Sequence, residues 1–414
     1  MKKLLFNIKG LLQTHDGITA VKRGTAMQEL PQIDNAWLLI EDGKIADMGK
    51  MQDLPEIKGA ERTDLSGRYV LPTWVDSHTH LVYASDREDE FIDRLKGKSY
   101  QEIAAKGGGI LNSAKKIQQT DEDELYNAAR SRLIDLIKLG TGAIEIKSGY
   151  GLTTDAELKM LRVIRSLKRE FPIPIKATFM GAHAVPAEFK DDKDAYLDIV
   201  IQEMLPMVAE EQLADFVDVF CEKGFFDLAD TEKILLAAEK YQLRSKIHVN
   251  QFNSFGGVQL ATEHQALSVD HLEELSTNDI DALKNSRTLP VALPGCSFFL
   301  GIPYTPARRL IDNDLPLVLA SDMNPGSAPS GNMNMVNALA CIKMKMLPEE
   351  TINASTINAA HAMQVDDQVG SIAKGKNANL IITKVLPSYG YMPYAFGTNC
   401  IETVLINGKK LEYN

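Results

Sequence analysis

The sequence predicts an α/β fold: a (β/α)8 TIM-like barrel with a small β-sandwich domain built from both termini. Two observations carry this. Eight short apolar runs alternate with charged amphipathic stretches through the middle of the chain, and both ends read as strands and turns without helical period. The length agrees, since 414 residues accommodate a barrel of about 250 residues with an appended domain.

Taken in order, residues 1–70 begin the small domain. In AWLLIEDGKIADMGK an apolar run meets Asp42-Gly43, then a second short run at Ile45. Asp-Gly between apolar runs predicts a hairpin, because both turn residues accept positive φ. Residues 370–384 and 400–413 repeat the strand-and-turn theme, so 1–70 plus 365–414 form one domain and 71–364 the barrel. Runs at 69–75, 143–147, 173–180, 216–220, 246–249, 266–269, 289–293 and 315–320 supply the barrel strands. Stretches such as 155–170 and 228–243 supply helices. The gap 85–140 must hold more than one helix. It contains Gly107, Gly108 and Gly109, which lack the Gly-Lys-Ser/Thr ending of a phosphate loop and read instead as a flap over the site.

Composition excludes several classes. With 44% hydrophobic and 24% charged residues, wholesale disorder is ruled out. Lys plus Arg total 45 against 56 for Asp plus Glu, a balance that argues against a nucleic-acid partner. Cys221, Cys296, Cys341 and Cys400 form no CxxC pair and read as reduced thiols of a cytoplasmic protein. Asn7, Lys9 and Gly10 interrupt the apolar N-terminus, and no run reaches the roughly 18 apolar residues of a membrane span, so no membrane partner is expected.

In such a barrel the active site lies at the C-terminal ends of the strands. The first run closes on Asp76-Ser77-His78-Thr79-His80, and histidines at i and i+2 of a strand point the same way. The fifth run ends in His248, the sixth in Asp270-His271 and the eighth in Ser321-Asp322, while His183 closely follows the third. A lone HxH is more often core or surface, and a lone Asp after a strand is often a helix N-cap. Their conjunction is specific: imidazoles and a carboxylate from four strand ends suit a divalent zinc or iron with a position left for water.

Here the sequence resembles the amidohydrolase superfamily, whose members carry HxH after strand one, His after strands five and six, and Asp after strand eight. The resemblance covers essentially the whole chain. It rests most on LPTWVDSHTHLVYASDREDEF, KSGYGL (147–152), MGAHAVP (180–186), HVNQF (248–252), LPGCSFFL (293–300) and ASDMNPGSAP (320–329). Within the superfamily it is most similar to the branch that opens the ring of 4-imidazolone-5-propanoate in histidine degradation, giving N-formimino-L-glutamate.

That resemblance implies that His78, His80, His248 and Asp322 hold one divalent metal, Zn²⁺ or Fe²⁺/Fe³⁺. It places His271 near the reacting water, and Arg87, Tyr150, His183, Gln251, Asn324, Gly326 and Ser327 against the substrate. A homodimer is implied as well. Where two-metal relatives carry a carboxylated lysine, this chain has Cys221-Glu222, which favours a single ion. In the implied chemistry Asp322 shuttles a proton from water to the leaving nitrogen, assisted by His271. Gln251 can hydrogen-bond but cannot act as a base. Arg87 offers a planar fork to the propanoate tail, with the Tyr150 hydroxyl beside it.

Two alternatives stay open on sequence. A deaminase of a flat base would use the same metal set without needing a cation for a carboxylate tail. A barrel retained as a scaffold would be expected to have lost ligands. Lys147 reads as a packing or pairing lysine, and Asn324 to Ser327 reads as a turn in which Gly326 allows close backbone approach.

Overall fold

The computed structural model describes residues 2–98 and 108–411. The N-terminal part supplies strands β1 (Lys2–Leu12), β2 (Gln32–Glu41), β3 (Lys44–Lys50), β4 (Glu61–Asp64) and β5 (Arg68–Pro72). The middle supplies β6 (Trp74–Asp76), β7 (Thr141–Lys147), β8 (Ile175–Ala182), β9 (Phe216–Cys221), β10 (Arg244–Val249), β11 (Ser268–His271), β12 (Leu289–Ala292) and β13 (Val318–Leu319). The chain then returns as β14 (Leu380–Val385), β15 (Ile401–Ile406) and β16 (Lys409–Lys410).

Strands β6 to β13 pair in sequence order, every pair parallel. The cylinder closes just beyond the strands. Thr79 bridges Met323, and the His80 amide donates to the Met323 carbonyl at 2.8 Å. Helices cover the outside, and their starts follow from local chemistry. Thr153 caps Thr154–Glu170 by accepting the Ala156 amide, and Asp227 with Asp230 forms a capping box on Leu228–Glu239. Glu88–Leu95, Ile110–Gln119 and Glu122–Lys138 lie in the long gap after β6.

The remaining strands form one mixed sheet in the order β16-β15-β14-β5-β1-β2-β3, with β4 also on β1. Asp42 at φ 49° and Gly43 at φ 83° make the tight turn between β2 and β3. Leu71, Trp74, Ile381 and Ile401 belong to an apolar cluster that joins this sheet to the barrel.

The apolar run 69–75 is not one barrel strand, as the sequence had suggested. Its first part, β5, pairs with β1 and β14 in the terminal sheet, and only β6 enters the barrel. Pro72 lacks an N–H, and Thr73 donates to Asn379 at 3.1 Å, so the ladder changes partner there. Of the glycine run, Gly107 lies outside the described residues. Gly109 caps Ile110–Gln119 at φ 85°. Among the described residues no helix is long and apolar enough to cross a membrane.

Candidate metal centre and active site

His78 and His80 follow β6, His248 sits near the end of β10, His271 ends β11, and Asp322 follows β13. All five are at most 3% exposed. The His78 and His248 rings are 4.4 Å apart between centroids, His78 and His80 5.5 Å, His80 and His248 5.6 Å. Asp322 Oδ1 lies 3.5 Å from His78 Nε2 and 3.7 Å from His80 Nε2. His78, His80 and Asp322, and separately His78, His248 and His271, bring ligand atoms close enough to share an ion.

Carboxylates behind these rings fix their tautomers. Asp270 Oδ2 stands 2.5 Å from His78 Nδ1, and Asp218 Oδ1 stands 3.0 Å from His248 Nδ1, so each Nε2 is left with its lone pair. His78 Nε2 is buried with no hydrogen-bond partner among the described residues. Burial, with nearby Lys147 and His248, pushes the His78 imidazole well below its usual range; burial with His183 does the same for His80, and burial with His271 for His248. Neutral imidazoles with orphaned nitrogens beside a carboxylate fit a divalent ion.

These supports lay largely outside the sequence reading. Asp218, Glu145, Lys147 and Lys246 are charged residues inside otherwise apolar strands, and all are buried. Lys147 Nζ lies 2.8 Å from both Glu145 Oε1 and Asp218 Oδ2, which makes it a pairing lysine. Lys246 Nζ donates to the Ser77 carbonyl at 2.5 Å. Asp76, pushed up to about 7 by burial, accepts from the Ser321 amide and hydroxyl at 3.0 and 2.5 Å and ties the first strand to the eighth. The signal in the sequence was the charge itself, since an unpaired ion inside a parallel barrel would be too costly to keep.

A cavity of about 540 Å³ opens above the ligands. His80, His248, His271 and Asp322 line it together with Arg87, Tyr150, His183, Gln251, Asn324, Gly326 and Ser327, so every substrate residue expected from sequence faces one space. His78 lies behind the wall. His183 shares its Nδ1 with the Gly149 carbonyl at 3.0 Å and stacks on His80 at 5.1 Å. Burial holds its imidazole at about 4. Tyr150 is buried 5.6 Å from the His80 ring, and burial raises its hydroxyl well above the usual range. Gln251 donates to Cys296 Sγ at 3.4 Å.

Asn324 is occupied by its own loop. Its side chain donates to the Asp322 carbonyl at 2.7 Å and Ser327 Oγ at 2.8 Å, and accepts the Gly326 and Ser327 amides at 2.8 Å each. It shapes the wall. Arg94, Glu90, Phe220, Phe225 and Phe252 also line the cavity and were missed in the sequence: four lie on loop or helix positions without a strand-end signature, and Phe220, near the end of β9, reads as one more apolar strand residue.

Burial pushes the Asp322 carboxyl up to about 6 against the pull of His271. Burial alone would lower His271, but Glu273 Oε1 at 3.4 Å, with Asp322 and Asp270, leaves it above its ordinary value.

A barrel with this ligand set defines a hydrolase class, and the chain belongs to the amidohydrolase family, whose model matches residues 69–411. The chain is 59% identical over 409 residues to the imidazolonepropionase of Christiangramia forsetii, covering 99% of this chain and 100% of that one. It is 58% identical, with the same coverage, to that of Flavobacterium johnsoniae, and 41% identical to that of Alkaliphilus metalliredigens over 96% and 94% of the two chains. In fold it is similar to a guanine deaminase from C. acetobutylicum, with TM-score 0.70 at 16% identity over the full length of both chains. It is also similar to a triazine hydrolase variant, with TM-score 0.74 at 16% identity over 99% and 94% of the two chains.

Proposed function

We propose that the chain hydrolyses the ring amide of 4-imidazolone-5-propanoate to N-formimino-L-glutamate, the reaction of imidazolonepropionases in histidine degradation. The observation that carries it is one cavity in which Arg87 and Arg94 face a converging set of imidazoles and an aspartate. An anionic tail and a ring amide are both answered in that space.

His78, His80, His248 and Asp322 would hold the ion. When bound, a divalent ion supplies Lewis acidity and lowers the pKa of water from about 15.7 to about 7. Asp322 takes the proton of the attacking water as the new C–O bond forms, and returns it to the ring nitrogen as the C–N bond breaks. His271, its Nδ1 directed at Glu273, offers its other nitrogen to the carbonyl oxygen where negative charge develops. Arg87 and Tyr150 orient the propanoate arm, and His183 faces the ring.

One ion per chain belongs to the same proposal, and the fourth strand supports it: Cys221 packs in an apolar cluster with Val249, and Glu222 accepts the Phe252 amide at 2.9 Å. The donor set accepts zinc and iron alike, and elemental analysis decides between them. A cytoplasmic homodimer belongs to the same reading, and light scattering on the purified chain tests the dimer. The activity is tested by following loss of imidazolone absorbance, with a panel of purine and pyrimidine bases as competitors. Turnover of a base but not of imidazolonepropanoate would contradict it.

A further inference from the structure

Arg87 cannot offer its whole fork to a ligand. Its Nε and Nη2 both donate to Glu90 Oε2, at 2.9 and 2.5 Å. Glu90 is anchored through its other oxygen, which accepts the Gly109 amide at 2.9 Å. What remains is Nη1, on the side of Gly326, where a Cβ built on that glycine would come within 2.4 Å of it.

Arg94 reaches the same glycine from one helical turn beyond Glu90. Its Nη2 lies 3.4 Å from the Gly326 carbonyl oxygen, and its guanidinium lies over the Phe299 ring at 4.9 Å. Among the described residues its direct partners are that carbonyl and that aromatic face, not a carboxylate. Stacking restrains the planar group and leaves its in-plane donors available. Two guanidinium groups and one carboxylate thus leave one positive charge at this wall of the cavity.

We propose that Arg94 is a specificity-determining residue: the substrate's carboxylate bridges Arg94 and Nη1 of Arg87, while Glu90 occupies the rest of the Arg87 fork. This rests on the proposed function for the identity of the tail, and on the geometry alone for the class of group, a carboxylate. Glu90 then has a selective role, since it reduces the charge that Arg87 presents and makes anion binding depend on its neighbour.

The test is calorimetric binding of 3-(imidazol-4-yl)propanoate and the corresponding propanamide to the metal-loaded protein. The wild type should prefer the acid. Arg94→Met, which keeps the alkyl stem against Phe299, and Arg94→Gln should each reduce that preference by about tenfold or more, the scale of one charge-assisted hydrogen bond. Glu90→Gln should bind the acid more tightly than the wild type does. Equal weakening of acid and amide in both Arg94 variants, an unchanged preference, or weaker acid binding in Glu90→Gln would overturn the assignment. Binding is read without turnover. A wild type that fails to hydrolyse imidazolonepropanoate, yet prefers the acid and loses that preference in both Arg94 variants, would contradict the proposed function while supporting Arg94.

Discussion

Asp322 and His78 are tied to one another twice. The Asp322 amide donates to the His78 carbonyl at 3.0 Å, and Asp322 Oδ1 stands 3.5 Å from His78 Nε2. The backbone seam that closes the barrel therefore also sets the spacing of two proposed ligands that are far apart in sequence. Asp322 adopts φ 55° and His271 φ 91° to aim their side chains inward. Such left-handed conformations cost about 1–3 kcal/mol each and persist only where the surrounding structure enforces them.

In the proposed reaction Asp322 is both ligand and proton carrier, so Asp322→Asn should keep the fold while kcat falls by at least about a hundredfold, the scale of a lost acid–base group. Steady-state kinetics on metal-loaded protein, beside an unchanged circular dichroism spectrum, checks this. Turnover near the wild-type rate would remove Asp322 from the proton path.

Asp270 is not among the residues that line the active-site cavity, yet its Oδ2 stands 2.5 Å from His78 Nδ1 and orients that ring. Asp270→Ala should weaken metal affinity by about 10- to 100-fold through loss of that orientation. Competition against a coloured chelator measures it, and an affinity equal to the wild type would mean that the ring is held by packing alone.

Lys147 is important for stability. Burial alone would lower its ammonium, but Asp218 and Glu145 raise it above the ordinary lysine range, so it stays charged across the working pH range. Lys147→Met leaves two buried carboxylates facing one another and should cost about 3–5 kcal/mol, the usual penalty for removing one partner of a buried ion pair. Denaturant unfolding of the metal-free protein reads this directly, and a change within measurement error would show that the carboxylates simply protonate at no cost.

His183 gives a pH signature. It is neutral in the fold, held at about 4 by burial, whereas an unfolded histidine titrates near its ordinary value of 6.5. Between those values the unfolded chain binds more protons, so this group's contribution is complete above about pH 7 and is lost as pH falls through the window. Buried carboxyls such as Asp76 titrate with the opposite sign, so the observable is a difference. The melting temperature of metal-free wild type, relative to His183→Gln, should be constant above pH 7 and decline towards pH 4. A difference that grows on acidification would contradict the neutral, buried imidazole.

The strand-end histidines and Asp322 were legible because two periodicities coincide in them: the barrel repeat marks the strand ends, and the i, i+2 pleat points His78 and His80 to one side. The second layer was harder to read. Glu145, Asp218, Lys246 and Asp270 sit inside apolar strands, and only the closed barrel shows their partners: Lys147 lies between Glu145 and Asp218, and Asp270 stands behind His78. The Glu90, Arg87 and Arg94 arrangement was not legible at all. In DREDEFIDRL it looks like an ordinary charged helix start, and only the fold brings Gly326 against both guanidinium groups. The split at Pro72 was hidden for a similar reason, since a change of sheet partner leaves no gap in hydrophobicity.

The most direct measurement titrates Zn²⁺ or Fe²⁺ into chelator-stripped protein while following both bound metal and hydrolysis of imidazolonepropanoate. Activity should be absent at the start, rise in proportion to bound ion, and saturate at one ion per chain, with His248→Ala and Asp322→Ala failing to follow. Full hydrolysis by the stripped protein, or undiminished metal binding in those variants, would contradict a single centre built by His78, His80, His248 and Asp322.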